Sequence, residues 1–356
     1  MSEPSLRNSL TRPIRIFVDT WPNFRRGGIS RDAKFIQNSF ENDSNFHAIV
    51  RIEKVNLRLL NIRYKLFSLF RYLGFKVGLH YEEGFPTFLP QVAPLASRKK
   101  RVAYVIRIHD VFPISNPDWF RFGPRRNFRR FLSEAASRKD VLFLCNSETT
   151  EANLLAAFPN TVLKTLVYPC QIPIIDPEIC QTCSFCKVMK SIVSPFLLMV
   201  GTVEPRKDYS FMVRVCNEFG YSGLPIIIVG RRGWKCGKTI RDLKSTKNIS
   251  WFNDCCDGGL NYLYKNASAF ISTSIDEGFN LPAAEAHHFG VPLFLRNILV
   301  HTEFHSDHAL FFSNEEDLIA LIQKLDIYNR TNVKKKCLVT KQFPSIEIME
   351  FLENLS

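Results

Sequence analysis

Short apolar runs alternate with helical stretches along both halves of the chain. Runs such as Phe143–Cys145, Phe196–Val200 and Ile226–Val229 lack the polar alternation of a half-exposed strand. Continuous apolar runs of this length predict strands buried on both faces of a parallel sheet. Because helical segments separate them, the pattern predicts doubly wound α/β sheets. Hydrophobic residues make up 46% of the chain and charged residues 23%, which is enough apolar surface for a large core.

The segment from Ser272 to Glu285 combines a strand end, a glycine-bearing loop and a helix start. Pro282 suits the first helical turn, where its missing N–H is not needed. Gly290 and Pro292 follow in the order typical of a helix end. The free N–H groups at the start of this helix face the loop, so the pattern favours a phosphate ligand there.

A second motif follows the apolar run 196–200. Gly201 forms a turn after the strand, and Arg206 and Lys207 come shortly afterwards. Ligands of open α/β sheets lie at the carboxyl ends of the strands, and adjacent cations there can neutralise a departing anion. An isolated Arg-Lys pair usually lies on the solvated surface. Arg206 and Lys207, however, follow the end of a predicted core strand, and this position favours a binding role.

The carboxylates Glu277 and Glu285 lie eight positions apart, and together with the Gly-Thr-x-Glu-Pro-Arg-Lys motif they resemble the Glu-x7-Glu pattern of retaining glycosyltransferase family 4. A glycosidase would instead need two carboxylates roughly 5–10 Å apart, whereas eight helical residues rise about 12 Å. A glycosidase active site built on these two carboxylates is therefore disfavoured. The resemblance implies the GT-B architecture, in which two Rossmann-like, doubly wound domains enclose an active-site cleft.

The resemblance also implies roles for the motif residues. Arg206 and Lys207 would neutralise the donor diphosphate, with Gly201 beside them. Glu277 would contact the sugar, and Glu285 would accept the ribose hydroxyls. The remaining implied contacts are the backbone of Gly278, Phe279, Asn280 and Leu281, the glycine loop at Gly28, and His109, which would stabilise the transferring sugar from the opposite domain.

A chain of 356 residues is long enough to form two domains. With the GT-B arrangement in mind, we expect an acceptor-side domain over residues 1–171, a linker over 172–195 and a nucleotide-sugar donor domain over 196–332. The tail over 333–356 is expected to be helical and to pack back on the first domain.

Lys and Arg total 47 against 34 Asp and Glu, a net charge of +13, which favours an anionic partner. The mixture of apolar and basic residues in Val55–Leu79 is typical of either a core helix with a basic edge or a helix that docks on an anionic membrane. The usual nucleic-acid motifs are not found. There is no run of 18 apolar residues and no signal-peptide pattern, so we expect a cytoplasmic location, either free or peripheral on the inner face of the cytoplasmic membrane.

Four of the ten cysteines, Cys170, Cys180, Cys183 and Cys186, cluster in and beside the linker. In a cytoplasmic protein such clustering suggests metal before disulfide, and four thiolates could bind a structural zinc ion. Reduced free thiols and a redox-sensitive disulfide remain alternatives. No cofactor is expected to be required for catalysis.

The function expected from the resemblance is retaining, metal-independent transfer of a hexose, with mannose as one candidate, from a nucleotide-diphosphate-sugar. The acceptor would be a glycan or a lipid-linked glycan in the synthesis of envelope polysaccharide or lipopolysaccharide. Two alternatives stay open. One is a sugar-nucleotide hydrolase or epimerase of the same fold, and the other is a non-enzymatic, zinc-containing module that binds polyanions.

Overall fold

A computed structural model describes residues 14–18, 28–50, 85–95, 102–172, 178, 180, 182–188, 191–192, 195–325 and 342–355. These residues contain two parallel sheets, one on each side of the 172–195 segment. The predicted pair of doubly wound α/β sheets is thereby confirmed. The exact domain boundaries stay a prediction, and Val55–Leu79 lies outside the described residues.

The first sheet has six strands within the described residues, in the order β2-β1-β3-β4-β5-β6. They are β1 (Ile14–Val18), β2 (Phe46–Val50), β3 (Thr87–Leu89), β4 (Tyr104–Ile108), β5 (Val141–Cys145) and β6 (Lys164–Val167). Neighbouring strands are all parallel. Both β4 and β5 are buried along their whole length, which suits the apolar run of β5 and all of β4 except Arg107.

Helices connect and cover these strands. They are α1 (Gly28–Asn42), α2 (Phe112–Ser115), α3 (Phe122–Ala136) and α4 (Glu148–Ala157). Ser147 caps α4, and its hydroxyl accepts a hydrogen bond from the Thr150 N–H.

The second sheet also has six described strands, in the order β12-β11-β10-β7-β8-β9, again all parallel. They are β7 (Leu197–Val200), β8 (Ile226–Val229), β9 (Ile249–Phe252), β10 (Ala269–Ser272), β11 (Leu293–Arg296) and β12 (Ala309–Phe312). The chain runs outward from β7 to β9 and then crosses back to β10. The topological switch point, where ligands bind in open α/β sheets, therefore lies between β7 and β10.

The helices of the second half are α5 (Ser184–Val188), α6 (Tyr209–Asn217), α7 (Gly237–Ser245), α8 (Asp257–Asn266), α9 (Leu281–His288), α10 (Leu299–His305) and α11 (Glu315–Gln323). A last helix, α12 (Ser345–Glu353), packs on the first sheet instead. Its Ile348, Phe351 and Leu352 share one apolar core with Ile16 and Phe40. Among the described residues, no helix is long and apolar enough to cross a membrane.

Candidate active site

The loops that follow β7 and β10 meet at the switch point of the second sheet, because these two strands are hydrogen-bonded neighbours. The loop after β7 contains Arg206 and Lys207, and the loop after β10 contains Glu277. Both cations form ion pairs with the Glu277 carboxylate. The fold thus brings Glu277 to two adjacent cations that precede it by 71 and 70 positions in the sequence.

Glu277 is buried and is surrounded by donors. Besides its two ion pairs, it accepts a hydrogen bond of 2.8 Å from the Ser274 hydroxyl. Burial alone would raise the pKa of Glu277, but the charges of Arg206 and Lys207 outweigh burial and hold the pKa at about 2. Glu277 is therefore ionised at neutral pH. Arg206 makes a further ion pair with Glu204, with 2.6 Å between Nε and Oε1.

Backbone contacts fix the two loops against each other. The Ile275 N–H donates to the Arg206 carbonyl at 2.8 Å, and the Thr273 hydroxyl donates to the Lys207 carbonyl at 2.8 Å. Next to them, Gly201 has φ +152°, and an added Cβ would lie 3.1 Å from Lys207 Cε. A small residue at position 201 therefore leaves room for the Lys207 side chain.

Glu285 is the fifth residue of α9 and is also buried. Its carboxylate accepts a hydrogen bond of 2.9 Å from the Tyr264 hydroxyl and forms an ion pair of 2.5 Å with Arg31. Burial raises the pKa of Glu285, while the charge of Arg31 opposes that increase. Because Arg31 belongs to α1, the first domain contributes directly to this carboxylate.

The start of α9 is held by a buried polar pair. Asn280 adopts a left-handed backbone conformation with φ +70°, which asparagine tolerates better than most residues. Its Nδ2 lies 2.8 Å from His301 Nε2 and donates to the Ser272 hydroxyl at 3.0 Å. Burial lowers the pKa of His301 to about 4, so its ring is neutral and its Nδ1–H donates to the Arg296 carbonyl. This pair orients the loop that precedes the helix.

The two domains touch at the glycine of the 277–285 motif. A Cβ built on Gly278 would lie 1.7 Å from the His109 carbonyl oxygen and 3.0 Å from Asn146 Nδ2. Asn146 Nδ2 also donates to the same His109 carbonyl at 2.9 Å. Glycine is therefore needed at position 278 for the first domain to approach this closely.

The His109 side chain is held within the first domain. Its Nε2–H donates to the Pro90 carbonyl at 3.0 Å, and its Nδ1 lies 3.9 Å from Asp32 Oδ2. Burial lowers the pKa of His109, which favours the neutral imidazole. The adjacent Asp110 faces Arg206, and burial raises the pKa of Asp110 to about 6 despite that positive charge.

Further contacts join the domains around the site. The Glu303 carboxylate of α10 accepts hydrogen bonds from the Glu148 and Thr149 N–H groups at the start of α4. On another side, the Trp234 indole stacks on Phe120, with 5.4 Å between ring centroids. Trp234 thus packs against the first domain.

Gly28 is the first residue of α1, the helix that contains Arg31. Residues 19–27, which include most of the expected glycine loop, lie outside the described part of the chain, so the role of Gly28 stays a prediction.

One predicted ligand set is wrong. Cys170 does not join the other three cysteines, because its sulfur is buried 3.5 Å from Arg107 Nη2, beside Asp32. The group that does converge is Cys180, Cys183, Cys186 and Cys256. The sequence pattern favoured Cys170 because it is near in the chain, whereas Cys256 becomes a neighbour only through the fold.

The geometry at the switch point can be compared with known proteins. Residues 191–333 match the family model of the group 1 glycosyl transferases. This match covers less than half of the chain and is a similarity to that family. The matched region contains the loops with Arg206, Lys207 and Glu277 as well as α9 with Glu285.

Curated relatives include the serotype-specific mannosyltransferase WbdA of Escherichia coli, which is 26% identical over 65% of this chain and 30% of its own length. The O-antigen chain mannosyltransferase B of Escherichia coli is 25% identical over 61% of this chain and 59% of its own length. The chain therefore spans about a third to three fifths of the length of these relatives.

Solved structures extend the similarity over both domains. WaaG, a glycosyltransferase involved in lipopolysaccharide biosynthesis, has a TM-score of 0.59 at 12% identity and is covered over 99% of its length, against 95% of this chain. Anabaena HepE in complex with UDP and glucose has a TM-score of 0.58 at 13% identity, covering 96% of this chain and 99% of its own. At such identities the likeness concerns the fold alone, and it confirms the GT-B architecture.

Sequence reasoning missed three residues that contact the predicted site, namely Arg31, Tyr264 and His301. Arg31 follows the Gly-Gly loop by three positions, and an arginine there could have suggested an anion-binding helix start. Tyr264 and His301 carry no local signal, since their partners Glu285 and Asn280 are 21 residues away.

Proposed function

We propose that this chain is a retaining, metal-independent hexosyltransferase that uses a nucleotide-diphosphate-sugar donor. The observation that carries the proposal is the convergence of Arg206, Lys207 and Glu277 at the switch point, next to Glu285 at α9. A pair of cations, of which Lys207 is buried and Arg206 half-buried, is suited to a diphosphate leaving group, whose negative charge grows during transfer. The similarity of residues 191–333 to the group 1 glycosyl transferases supports the same reaction class.

The donor would lie across the loops after β7 and β10. Arg206 and Lys207 would bind the diphosphate beside Gly201, and ionised Glu277 would accept hydrogen bonds from sugar hydroxyls. Glu285, held by Tyr264, would accept the ribose hydroxyls. The backbone of 278–281, at the start of α9, and the start of α1 at Gly28 would supply N–H donors to the phosphates.

The proposed mechanism uses no protein nucleophile. A donor phosphate oxygen would remove the proton from the acceptor hydroxyl on the same face as the departing diphosphate, while the sugar passes through an oxocarbenium-like state. His109 would lie near the transferring sugar from the first domain. Catalysis would then rest on positioning and on charge stabilisation by Arg206 and Lys207, which take the part that a divalent cation has in other transferases.

Mannose is the first candidate for the sugar, because the curated relatives are mannosyltransferases, two of them acting on O-antigen chains. The acceptor would then be a glycan or a lipid-linked glycan of lipopolysaccharide or another envelope polysaccharide. Such acceptors suit an enzyme at the cytoplasmic face of the membrane, and the basic segment Val55–Leu79 is the candidate for contact with anionic lipid.

A panel of nucleotide-hexoses would test the donor first, since a ligand that binds only the folded state raises the melting temperature. A donor that stabilises the protein would then be incubated with and without glycan acceptors, and the products analysed by mass spectrometry. Transfer only in the presence of acceptor is expected. Free sugar or an isomerised donor without acceptor would instead support the hydrolase or epimerase.

The retaining stereochemistry and the metal-independence of the proposed reaction each need a separate measurement. Proton NMR of the product should show the same anomeric configuration as the donor, and inversion would contradict the retaining mechanism. Omission of Mg²⁺ and Mn²⁺ from the assay should leave turnover unchanged. Omission is preferable to chelation here, because a chelator would also attack thiolate-bound metal.

A further inference from the structure

Four cysteine sulfurs converge where the segment after the first sheet meets the start of α8. These sulfurs, which we call the four-cysteine cluster, all lie within 4.8 Å of one another and belong to Cys180, Cys183, Cys186 and Cys256. Three of them come from the segment that follows the first sheet, at spacings of two intervening residues. The fourth, Cys256, caps the start of α8 in the second domain.

Backbone N–H groups point at these sulfurs. The Cys180 N–H donates to Cys256 Sγ at 3.4 Å, and the Gly259 N–H donates to the same sulfur at 3.3 Å. The Cys186 N–H donates to Cys183 Sγ at 3.4 Å. Such donors favour the thiolate, which is the form of cysteine that binds metal. The cluster is thus arranged for anionic sulfur.

Hydrogen bonds and packing contacts of neighbouring residues also hold the four cysteines in this arrangement. The Ser184 N–H donates to the Asp254 carboxylate at 2.8 Å, and the Ser184 hydroxyl donates to the Asp254 carbonyl at 3.0 Å. Phe185 is buried and packs edge-on against Phe252. A Cβ on Gly259 would lie 3.2 Å from Cys186 Sγ, so even this backbone is closely packed. These contacts hold the segment against the residues that precede α8.

The size of the cluster suits a single ion. Zinc–sulfur bonds of about 2.3 Å in a tetrahedron place neighbouring sulfurs about 3.8 Å apart. The Cys186 and Cys256 sulfurs are 3.4 Å apart, and the remaining pairs lie within the 4.8 Å limit. A four-iron cluster would place iron and sulfide between the thiolates and would need a wider set of ligands.

We propose that the four-cysteine cluster binds one zinc ion as a closed structural site. Four protein ligands leave no open coordination position, so the site would stabilise structure and not catalyse a reaction. The zinc would fasten the segment between the domains to α8. That helix also contains Asp257, which lies 3.4 Å from Arg31, and Tyr264, which donates to Glu285.

The test is metal analysis of protein purified under reducing conditions without chelator. We expect about one zinc per chain in the parent, and loss of most of that zinc in Cys183→Ser and in Cys256→Ser. Two matched controls should keep the metal: Cys255→Ser, which changes the neighbouring cysteine outside the cluster, and Cys216→Ser in α6. Parent protein that contains no zinc and takes up none from added Zn²⁺ would overturn the proposal.

Two further measurements use the parent protein, so they test the zinc site even if the cysteine variants fail to fold. Cobalt(II) added to chelator-treated parent should give the intense sulfur-to-metal absorption and the visible bands of a tetrahedral thiolate site. Four thiols should become reactive toward a thiol reagent on chelation and be protected again by Zn²⁺. Thiols that return only after a reductant is added would indicate disulfides and contradict the proposal, as would iron in place of zinc.

Discussion

Arg31 in the first domain forms an ion pair with Glu285 in the second, with 2.5 Å between Nη1 and Oε1. Glu285 is buried and Arg31 is about a quarter exposed. The carboxylate proposed to accept the ribose hydroxyls therefore depends on a cation from the opposite domain. Because burial raises the pKa of Glu285 while Arg31 lowers it, the ion pair favours the ionised carboxylate.

Arg31→Ala should make nucleotide binding more sensitive to acid. Without the arginine charge, burial raises the pKa of Glu285 further, so the carboxylate protonates as the pH falls and loses part of its capacity to accept ribose hydroxyls. Calorimetric titration with nucleoside diphosphates at pH 7.5 and 5.5 should show a larger decrease in affinity than in the parent. Arg129→Ala, an exposed position of α3, is the control. Identical pH dependence in Arg31→Ala and the parent would count against this role.

Lys207→Ala should mainly reduce turnover. The Lys207 ammonium group stabilises the reaction most when the diphosphate departs. Its removal should therefore lower kcat by about 10²–10³-fold, as the loss of an oxyanion-hole donor does. Steady-state kinetics with saturating donor would measure the change. Lys238→Ala removes an exposed lysine of the same domain and should leave kcat unchanged. A normal kcat in Lys207→Ala would remove Lys207 from the donor site.

Glu277→Gln should change how stability depends on pH. The folded pKa of Glu277, about 2, lies below its ordinary value of 4.5. A lowered carboxylate pKa contributes stability that is present above 4.5 and is lost as the pH falls toward 2. The shift corresponds to something on the order of 3 kcal/mol. Unfolding by denaturant should therefore show parent and variant converging in stability between pH 4.5 and 2. A constant difference across that window would contradict the ionised, paired state.

Gly278→Ala should prevent the close contact between domains. The new Cβ would overlap the His109 carbonyl oxygen, a rigid backbone atom, so the domains must separate. We expect kcat to fall by at least tenfold while nucleoside diphosphates, which we propose to bind mainly the second domain, keep most of their affinity. Gly237→Ala, where a Cβ meets nothing within 4 Å, is the matched control. Full activity of Gly278→Ala would show that this contact is not needed for transfer.

Tyr264→Phe should weaken nucleotide binding several-fold, because the hydrogen bond from the Tyr264 hydroxyl holds the Glu285 carboxylate in position and its loss lets that carboxylate reorient. Calorimetric titration would measure the affinity, with Tyr262→Phe on the same helix as control. Should both variants bind equally well, Glu285 would not depend on Tyr264.

The sequence alone was sufficient to predict the α/β sheets and the local motifs. Strands such as β7 and β8 are short apolar runs, and burial on both faces leaves them few alternatives. Gly201, Arg206 and Lys207 lie within one loop, and Glu277 and Glu285 lie within one loop and helix. Their spacing could be read along the chain because residues close in sequence remain close in space.

Contacts between distant segments were decided only by the tertiary structure. The strand order of the second sheet puts β7 beside β10, and this pairing, which crosses from one side of β7 to the other, brings Lys207 to Glu277. Arg31 reaches Glu285 across 254 positions, and Cys256 replaces Cys170 in the four-cysteine cluster. Periodicity and spacing describe neighbours along the chain, whereas these partners are set by how strands pair and domains pack.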